Sequence, residues 1–381
     1  MDFDLTPGQR ERRDRTRAAA RAALGGTPPR TARDHVTRQD WTAAAELGLV
    51  GACLPADAGG GGLGCLDTAL LLEDAGWAAT DAGLPFAVAA HLLACAVPVR
   101  DFAREPARGP LLEGLATGAL VAGNAATEDG AGSDVTAMAA TARRDGDAYV
   151  LDGAKSFVSN APIADVYVAY AVTDPDAGFL GLTAFAVPAD LPGITVGPVL
   201  DKIGLHGCAA ARVTFAGCRV PAARRLGAEG QGGAVFQHSM AWERAALPAI
   251  YLGAMEEQLD RCLAHARTRR QFGRPIGAFQ AVSHRLSAMR QRLEAARLLL
   301  YRACWLLDRD RAEATTAGAL AKTAVAEAAV ANGIDAVQVL GALGCLAGGG
   351  VEQRLRDAVP ALVFSGTGDV QREIVARESG L

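Results

Sequence analysis

The run DVYVAYAV, Asp165 to Val172, limits the possible folds of this chain more than any other stretch. GLTAFAV, Gly181 to Val187, repeats its character, and both are broken off by Gly, Pro and Asp. Side chains of a strand repeat every second position, so runs of this kind predict antiparallel β structure. PADLPGITVGP and AARVTFAGCRVP continue it, with turn residues roughly eight to twelve positions apart. A small barrel or sandwich over residues 121–230 is the expectation.

Both flanks read as helix. Residues 1–120 open with LTPGQRE, in which Thr6 suits an N-cap, Pro7 the first helical position and Gln9 the reciprocal half of a capping box. Residues 231–381 contain Gln280 to Asp308, where Val282, Leu286, Met289, Leu293, Ala296 and Leu300 recur at alternating spacings of four and three. That is a bundle seam, with Met289 in the core and Arg285, Arg290, Arg292 and Glu294 on the outer face. The fold class is therefore α+β: a helical domain, a β domain and a helical bundle.

A net charge of −4 argues against nucleic acid. The most basic run, Arg10 to Arg17, includes Glu11 and Asp14 and reads as a solvated helix face. The eight cysteines form no CxxC pair, which points away from a disulfide framework and from a metal site. No apolar leader and no run of eighteen apolar residues is present, so a cytoplasmic protein without a membrane partner is expected. GGGGLG, Gly59 to Gly64, formally fits a dinucleotide fingerprint, but Pro55 spoils the strand it needs, and a helix-helix connection is the better reading.

Four stretches carry possible chemistry. ATEDGAGSD, Ala126 to Asp134, is a loop able to lay N–H and O–H donors along a heteroaromatic edge. KSFVSNA, Lys155 to Ala161, adds an aromatic two positions from Ser159. RTRRQFGRPIGAFQ, Arg267 to Gln280, gathers arginines suited to a pyrophosphate, and SGTGD begins at Ser365. In this order they resemble the acyl-CoA dehydrogenase family, whose patterns are T-E-x-x-A-G-S-D, K-x-W-I-T, R-x-x-F-G-x-x-x-x-x-x-Q and E-G-T-S. The resemblance spans essentially the whole chain. It implies an N-terminal helical domain, a central antiparallel β-barrel and a C-terminal four-helix bundle, with FAD between the last two.

Carried over by position, the resemblance places Ala126, Thr127 and Ser133 along the flavin ring or ribityl arm, with Asn124 and Gly132 in the same cofactor-binding segment. Phe157 and Ser159 would flank the isoalloxazine. Arg269, Phe272, Gln280, Gln338 and Gly341 would hold the adenine and pyrophosphate end across a subunit boundary, and Thr367 with Asp369 the phosphates, which implies a homotetramer. Phe157 replaces Trp, Ser159 replaces Thr, and Gly341-Ala342 replaces a pair of glycines.

The family reaction removes an α-proton from a thioester, and most members carry the base in the E-G-T turn. Here that position is Ser365, whose hydroxyl cannot accept such a proton near neutral pH. A minority, including isovaleryl-CoA dehydrogenase, carries the glutamate on the first bundle helix, and Glu243 in MAWERAALPA occupies that position. An apolar setting would raise its pKa toward the task, while a salt bridge to Arg244 is the plainer alternative. Ser133 and Arg244 are candidate substrate contacts. Ser365 keeps the oxyanion role through its backbone N–H, which leaves its hydroxyl without a task.

HARTRRQFGRPIGAFQAVSHR, LRDAVPALVFSGTGDVQREIVARE and LDGAKSFVSNAPIAD are similar to the prolyl-carrier-protein dehydrogenases of pyrrole-forming pathways. The resemblance implies L-prolyl bound to a peptidyl or acyl carrier protein as substrate, with Arg224-Arg225 or Arg269-Arg270 as basic surface for that partner. Three other readings share these residues: redox-neutral cyclopropane formation, ordinary acyl-CoA desaturation, and a flavoprotein that has lost catalysis. None of these residues specifies the electron acceptor.

Overall fold

The computed structural model describes residues 4–26, 29–31 and 33–381. Its first part comprises α1 (Pro7–Leu24), α2 (Arg38–Glu46), α3 (Cys65–Ala78), α4 (Gly83–Ala89), α5 (Val97–Phe102) and α6 (Arg108–Thr117). Thr6 and Gln9 form the expected capping box at α1. A π-helical stretch, Ala90–Ala96, joins α4 to α5 without a break in the helix. The resulting helix, Gly83–Phe102, is apolar enough to cross a membrane, but it is almost wholly buried and serves as a core helix.

The glycine-rich segment is a helix-helix connection. A side chain at Gly60 would lie 2.3 Å from the Leu54 carbonyl oxygen, so tight backbone packing explains that glycine. The N-terminus of α3, where a pyrophosphate would have to sit, already has an anion: Asp308 accepts from the Cys65 and Leu66 N–H groups at 2.5 and 3.0 Å.

The β domain holds β1 (Ala122–Ala125), β2 (Thr141–Asp145), β3 (Ala148–Ser159), β4 (Val166–Val172), β5 (Leu182–Pro188), β6 (Ile194–Val199), β7 (Ala210–Pro221) and β8 (Arg225–Leu226). Their order is β6-β7-β3-β2-β4-β5-β8, with β1 beside β4. The expectation of a purely antiparallel sheet needs correction, because β4 runs parallel to both β1 and β2. The run that opened the sequence argument is β4, and it is buried on both faces. Val166, Val168 and Tyr170 face the helices, whereas Tyr167, Ala169 and Ala171 fill the core inside the sheet.

The third part begins with α7 (Gly232–Ala246) and α8 (Ala249–Thr268), passes a hairpin of β9 (Arg270–Gln271) and β10 (Arg274–Pro275), and continues through α9 (Gln280–Leu307), α10 (Ala314–Leu340), α11 (Val351–Ala358) and α12 (Gly368–Glu378). Leu286, Met289, Leu293, Ala296 and Leu300 are buried along α9, as the seam predicts.

The basic face of α1 is a second correction. Arg13 reaches Glu73 and Asp74 at 2.9 and 2.8 Å, and Arg17 bonds Asp74 and Glu256, each at 2.7 Å. Arg297 lies 3.0 Å from Glu73, and Tyr301 donates to it at 2.7 Å. Glu73 and Asp74 sit adjacent in α3, so their charges come to α1 only through helix packing. Arg13→Met is expected to lower unfolding free energy by about 3–5 kcal/mol, since it strips partners from buried carboxylates. Arg15, exposed and, among the described residues, paired only with Glu11 at 3.6 Å, should cost under about 0.5 kcal/mol when changed to Met. Urea titration of both variants tests this, and equal losses would remove the special weight of the buried network.

Candidate active site

Between Phe364 and α12 the chain takes two consecutive left-handed residues, Ser365 at φ 52° and Gly366 at φ 90°. Polar side chains from three helices hold the carbonyls of this turn. Ser365 O accepts from Gln371 Nε2 at 3.0 Å and Arg244 Nε at 3.4 Å, and Gly366 O accepts from Lys322 Nζ at 2.7 Å. Burial, assisted by the Arg244 charge, pushes the Lys322 ammonium down to about 8. With its carbonyls tied back to the bundle, the turn presents the Ser365 N–H, which has no acceptor among the described residues.

Glu243 meets this turn from α7. It is 7% exposed, and the Ser365 hydroxyl donates to its Oε2 at 2.6 Å. Its Oε1 is buried and unpartnered. Burial raises the carboxyl from its ordinary 4.5 to about 7, against smaller opposing effects of the Ser365 hydrogen bond and the Arg244 charge. The expected alternative, a Glu243–Arg244 salt bridge, does not form, because adjacent helical residues point in different directions and the Arg244 side chain goes to Ser365 O.

Burial outweighs the neighbouring charge in the environment of Glu243. Phe236, Ser239 and Glu243 share one stripe of α7, and the Tyr170 ring stands edge-on to Phe236 with centroids 5.5 Å apart. Trp242 lies under the Arg100 guanidinium, 4.6 Å from the ring centroid. Phe364 packs between Phe86 and Tyr251, at centroid distances of 5.0 and 6.2 Å. A carboxylate buried in this way favours its neutral form, so it releases and takes up a proton near physiological pH.

The two cofactor loops of the β domain are joined to each other. Ser156 N donates to Thr127 O at 2.8 Å, and the buried Lys155 ammonium bonds Glu128 Oε1 at 2.7 Å and Ala126 O at 3.2 Å. Glu128 also accepts from Ala139 and Ala140 N–H, so one carboxylate folds the whole ATEDGAGSD loop against β3. Beyond Lys155 the pairing of β3 with β7 slips, and Phe157 is left at φ 57° and 67% exposed. Ser159 beside it is half-buried, Ala126 is buried, and Gly132 and Ser133 are exposed at the loop end. Asn124 Oδ1 is buried without a partner on the strand leading into this loop. An exposed aromatic, an orphaned amide oxygen and a loop of small polar residues in this part of the β domain fit a flat heteroaromatic ring.

The other predicted cofactor contacts do not join that cluster within one chain. Phe272, at φ 48° and 92% exposed, tips the β9–β10 hairpin. With Gln338 it lines a groove of about 370 Å³ walled only by residues between 271 and 339. Arg269 and Gln280 flank this hairpin, and Gly341, at φ 62°, follows α10. Thr367 caps α12 by accepting from Val370 N–H at 3.3 Å, and exposed Asp369 pairs with Arg372 at 3.1 Å. Its carboxylate stabilises the helix N-terminus and repels phosphate, so contact with an anion there falls to backbone N–H groups.

Residues 6–119, 123–218 and 230–380 match, in turn, the acyl-CoA dehydrogenase N-terminal, middle and C-terminal domains. An L-prolyl-[peptidyl-carrier protein] dehydrogenase of Pseudomonas fluorescens is 49% identical over 346 residues, covering 90% of each chain. The chain belongs to the acyl-CoA dehydrogenase family. A Serratia protein of the same name is 41% identical across 100% of this chain and 99% of its own. The solved structure described as PigA with FAD and proline superposes with a TM-score of 0.95 at 40% identity over the full length of both.

Within this family frame, three site features escaped the sequence reading. Lys322 and Gln371 hold the turn, and the Ser365 hydroxyl, expected to be idle, is the hydrogen-bond partner of Glu243. A lone Lys in the Ala-rich run of α10 was the available signal for Lys322. Arg225, read as docking surface, instead bonds Tyr149 OH and Gly227 O at 2.8 and 3.1 Å.

Glu243 keeps its proton to about pH 7 when folded, against 4.5 ordinarily. Stability is therefore full below the lower value and falls as pH rises through the higher one, by roughly 3 kcal/mol. Glu243→Gln should be more stable than the parent at about pH 8 and near-equal at about pH 4 in urea titrations. The same difference at both pH values would contradict the shifted carboxyl.

Proposed function

We propose that this protein is an FAD-dependent dehydrogenase of L-prolyl held as a thioester on a carrier protein, oxidising it to the pyrrole-2-carboxyl thioester by a flavin oxidation and a further desaturation, two electrons each, with an external electron acceptor reoxidising the flavin between them. One observation carries the reading: where the turn has lost its carboxylate, Glu243 supplies one from α7, with Oε1 bare and a pKa near 7. The names of the Pseudomonas and Serratia relatives support the prolyl and carrier-protein parts of it.

Each residue then has a task. The Ser365 N–H, left free by its anchored carbonyl, donates to the thioester oxygen and stabilises the charge that develops there. Oε1 of Glu243 takes the α-proton, and the electron pair stays on the substrate. Bound FAD supplies the hydride acceptor for the adjacent position. Phe157 and Ser159 would flank its ring, Asn124, Ala126, Thr127, Gly132 and Ser133 would help to hold it, and the Glu128–Lys155 pair keeps their loop in place. Arg269, Phe272, Gln280 and Gln338 serve the adenine end of a neighbouring subunit's cofactor in a homotetramer, which accounts for a fully exposed phenylalanine at a hairpin tip. Arg244 fixes the turn that meets the carbonyl.

Anaerobic mixing of the flavin-loaded protein with prolyl carrier protein tests the reading. Flavin bleaching should speed up as pH rises through about 7, because only the ionised carboxylate removes the proton. Glu243→Gln should slow bleaching by about 10²–10⁴-fold. Wild-type bleaching by that variant would end the assignment of the base.

Lys155→Met gives a separate check on the cofactor loop. It leaves Glu128 buried without its cation, so the purified variant should lose bound flavin on gel filtration and melt earlier than the parent. Full flavin retention at an unchanged melting temperature would show that the pair does not support the loop.

A further inference from the structure

The Ser365 hydroxyl makes a contact that neither the fold nor the oxyanion role requires. The N–H of any residue would serve the carbonyl, and glycine would adopt φ 52° without the penalty borne by a residue with a Cβ. Yet a serine stands there, with its hydroxyl 2.6 Å from Glu243 Oε2.

Other charged or titratable groups lie on α7 and on the elements around it and the turn, and none takes this place. Arg244 on α7 is committed to Ser365 O, and Lys322 on α10 to Gly366 O. Arg100 on α5 stacks over Trp242 and bonds the Cys53 carbonyl at 2.9 Å. Cys95 in the π-helical stretch and Tyr170 on β4 are close enough to Glu243 to influence one another electrostatically, but neither hydrogen-bonds it. Among the described residues the Ser365 hydroxyl is the donor that fixes the carboxylate.

We propose that Ser365 is a positioning residue, whose hydroxyl clamps Oε2 of Glu243 and thereby directs the unpartnered Oε1 at the substrate α-carbon. The inference rests on the assignment of Glu243 as base and goes beyond it. One turn residue does two jobs from opposite sides of its Cα: the N–H meets the substrate carbonyl, and the side chain orients the group that removes the neighbouring proton. Coupling base and oxyanion site through one residue fixes their separation, which proximity effects reward strongly. The same bond favours the ionised carboxylate, so it also lowers the pH at which the base becomes active.

Ser365→Ala and Ser365→Gly in the flavin-loaded full chain test this. Both remove the hydroxyl, but the glycine relieves backbone strain where the alanine keeps it. Bleaching rates with prolyl carrier protein across pH report the limb, and infrared titration of the substrate-free holoprotein, with Glu243→Gln as spectral control, reports the carboxyl itself. In both variants the limb and the carboxyl titration are expected to move up by about one pH unit. Well below the limb, bleaching should slow about tenfold as a consequence. An unmoved carboxyl titration in both variants overturns the positioning role, as does a shift in alanine that glycine reverses, which would report strain instead. If the alanine protein does not retain flavin, the glycine protein decides alone. Wild-type bleaching by Glu243→Gln removes the base assignment, whereas a silent serine leaves that assignment standing.

Discussion

The site depends on keeping one carboxylate inside the protein with a single hydrogen bond. A buried ionised carboxylate without partners is costly, and one fully paired is too weak a base. Glu243 lies between these limits, bonded through Oε2 to Ser365 and bare at Oε1. Everything near it follows from that balance. The adjacent cations, Arg244 and Lys322, are occupied by turn carbonyls and do not pair with Glu243. Phe364, which precedes the turn, packs between the Phe86 and Tyr251 rings.

The scaffold makes this arrangement possible by burying the sheet from both sides. β4 carries one set of side chains into the core inside the sheet and the other against the helices, where Tyr170 meets α7. The π-helical stretch Ala90–Ala96 packs on that same helix, and such stretches are frequent at functional sites. In the β domain, the Glu128–Lys155 pair joins two separate loops into one surface. Glu128 and Lys155 are therefore the ion pair that shapes it.

Much of the fold was legible because periodicity reports burial. The capping box at Thr6, the seam along α9 and the strand character of Asp165 to Val172 all appear as expected. Strand direction was not legible, since apolar alternation is the same in parallel and antiparallel pairs, and β4 proved parallel to β1 and β2. The basic run in α1 misled for a similar reason. A helix face of arginines looks solvated until the acids of another helix, Glu73 and Asp74, are packed against it.

The sequence by itself determined the three-part architecture, the absence of a carboxylate in the Ser365 turn, and the candidate status of Glu243, because these are properties of residue type and local spacing. Only the tertiary structure decided that Glu243 bonds Ser365 and not Arg244. It also decided that Lys322 and Gln371, remote from Glu243 in sequence, hold the turn beside it. The physical reason is that a hydrogen bond depends on direction and distance across packed elements. Local sequence specifies which groups a helix or turn presents, and only packing specifies what those groups meet.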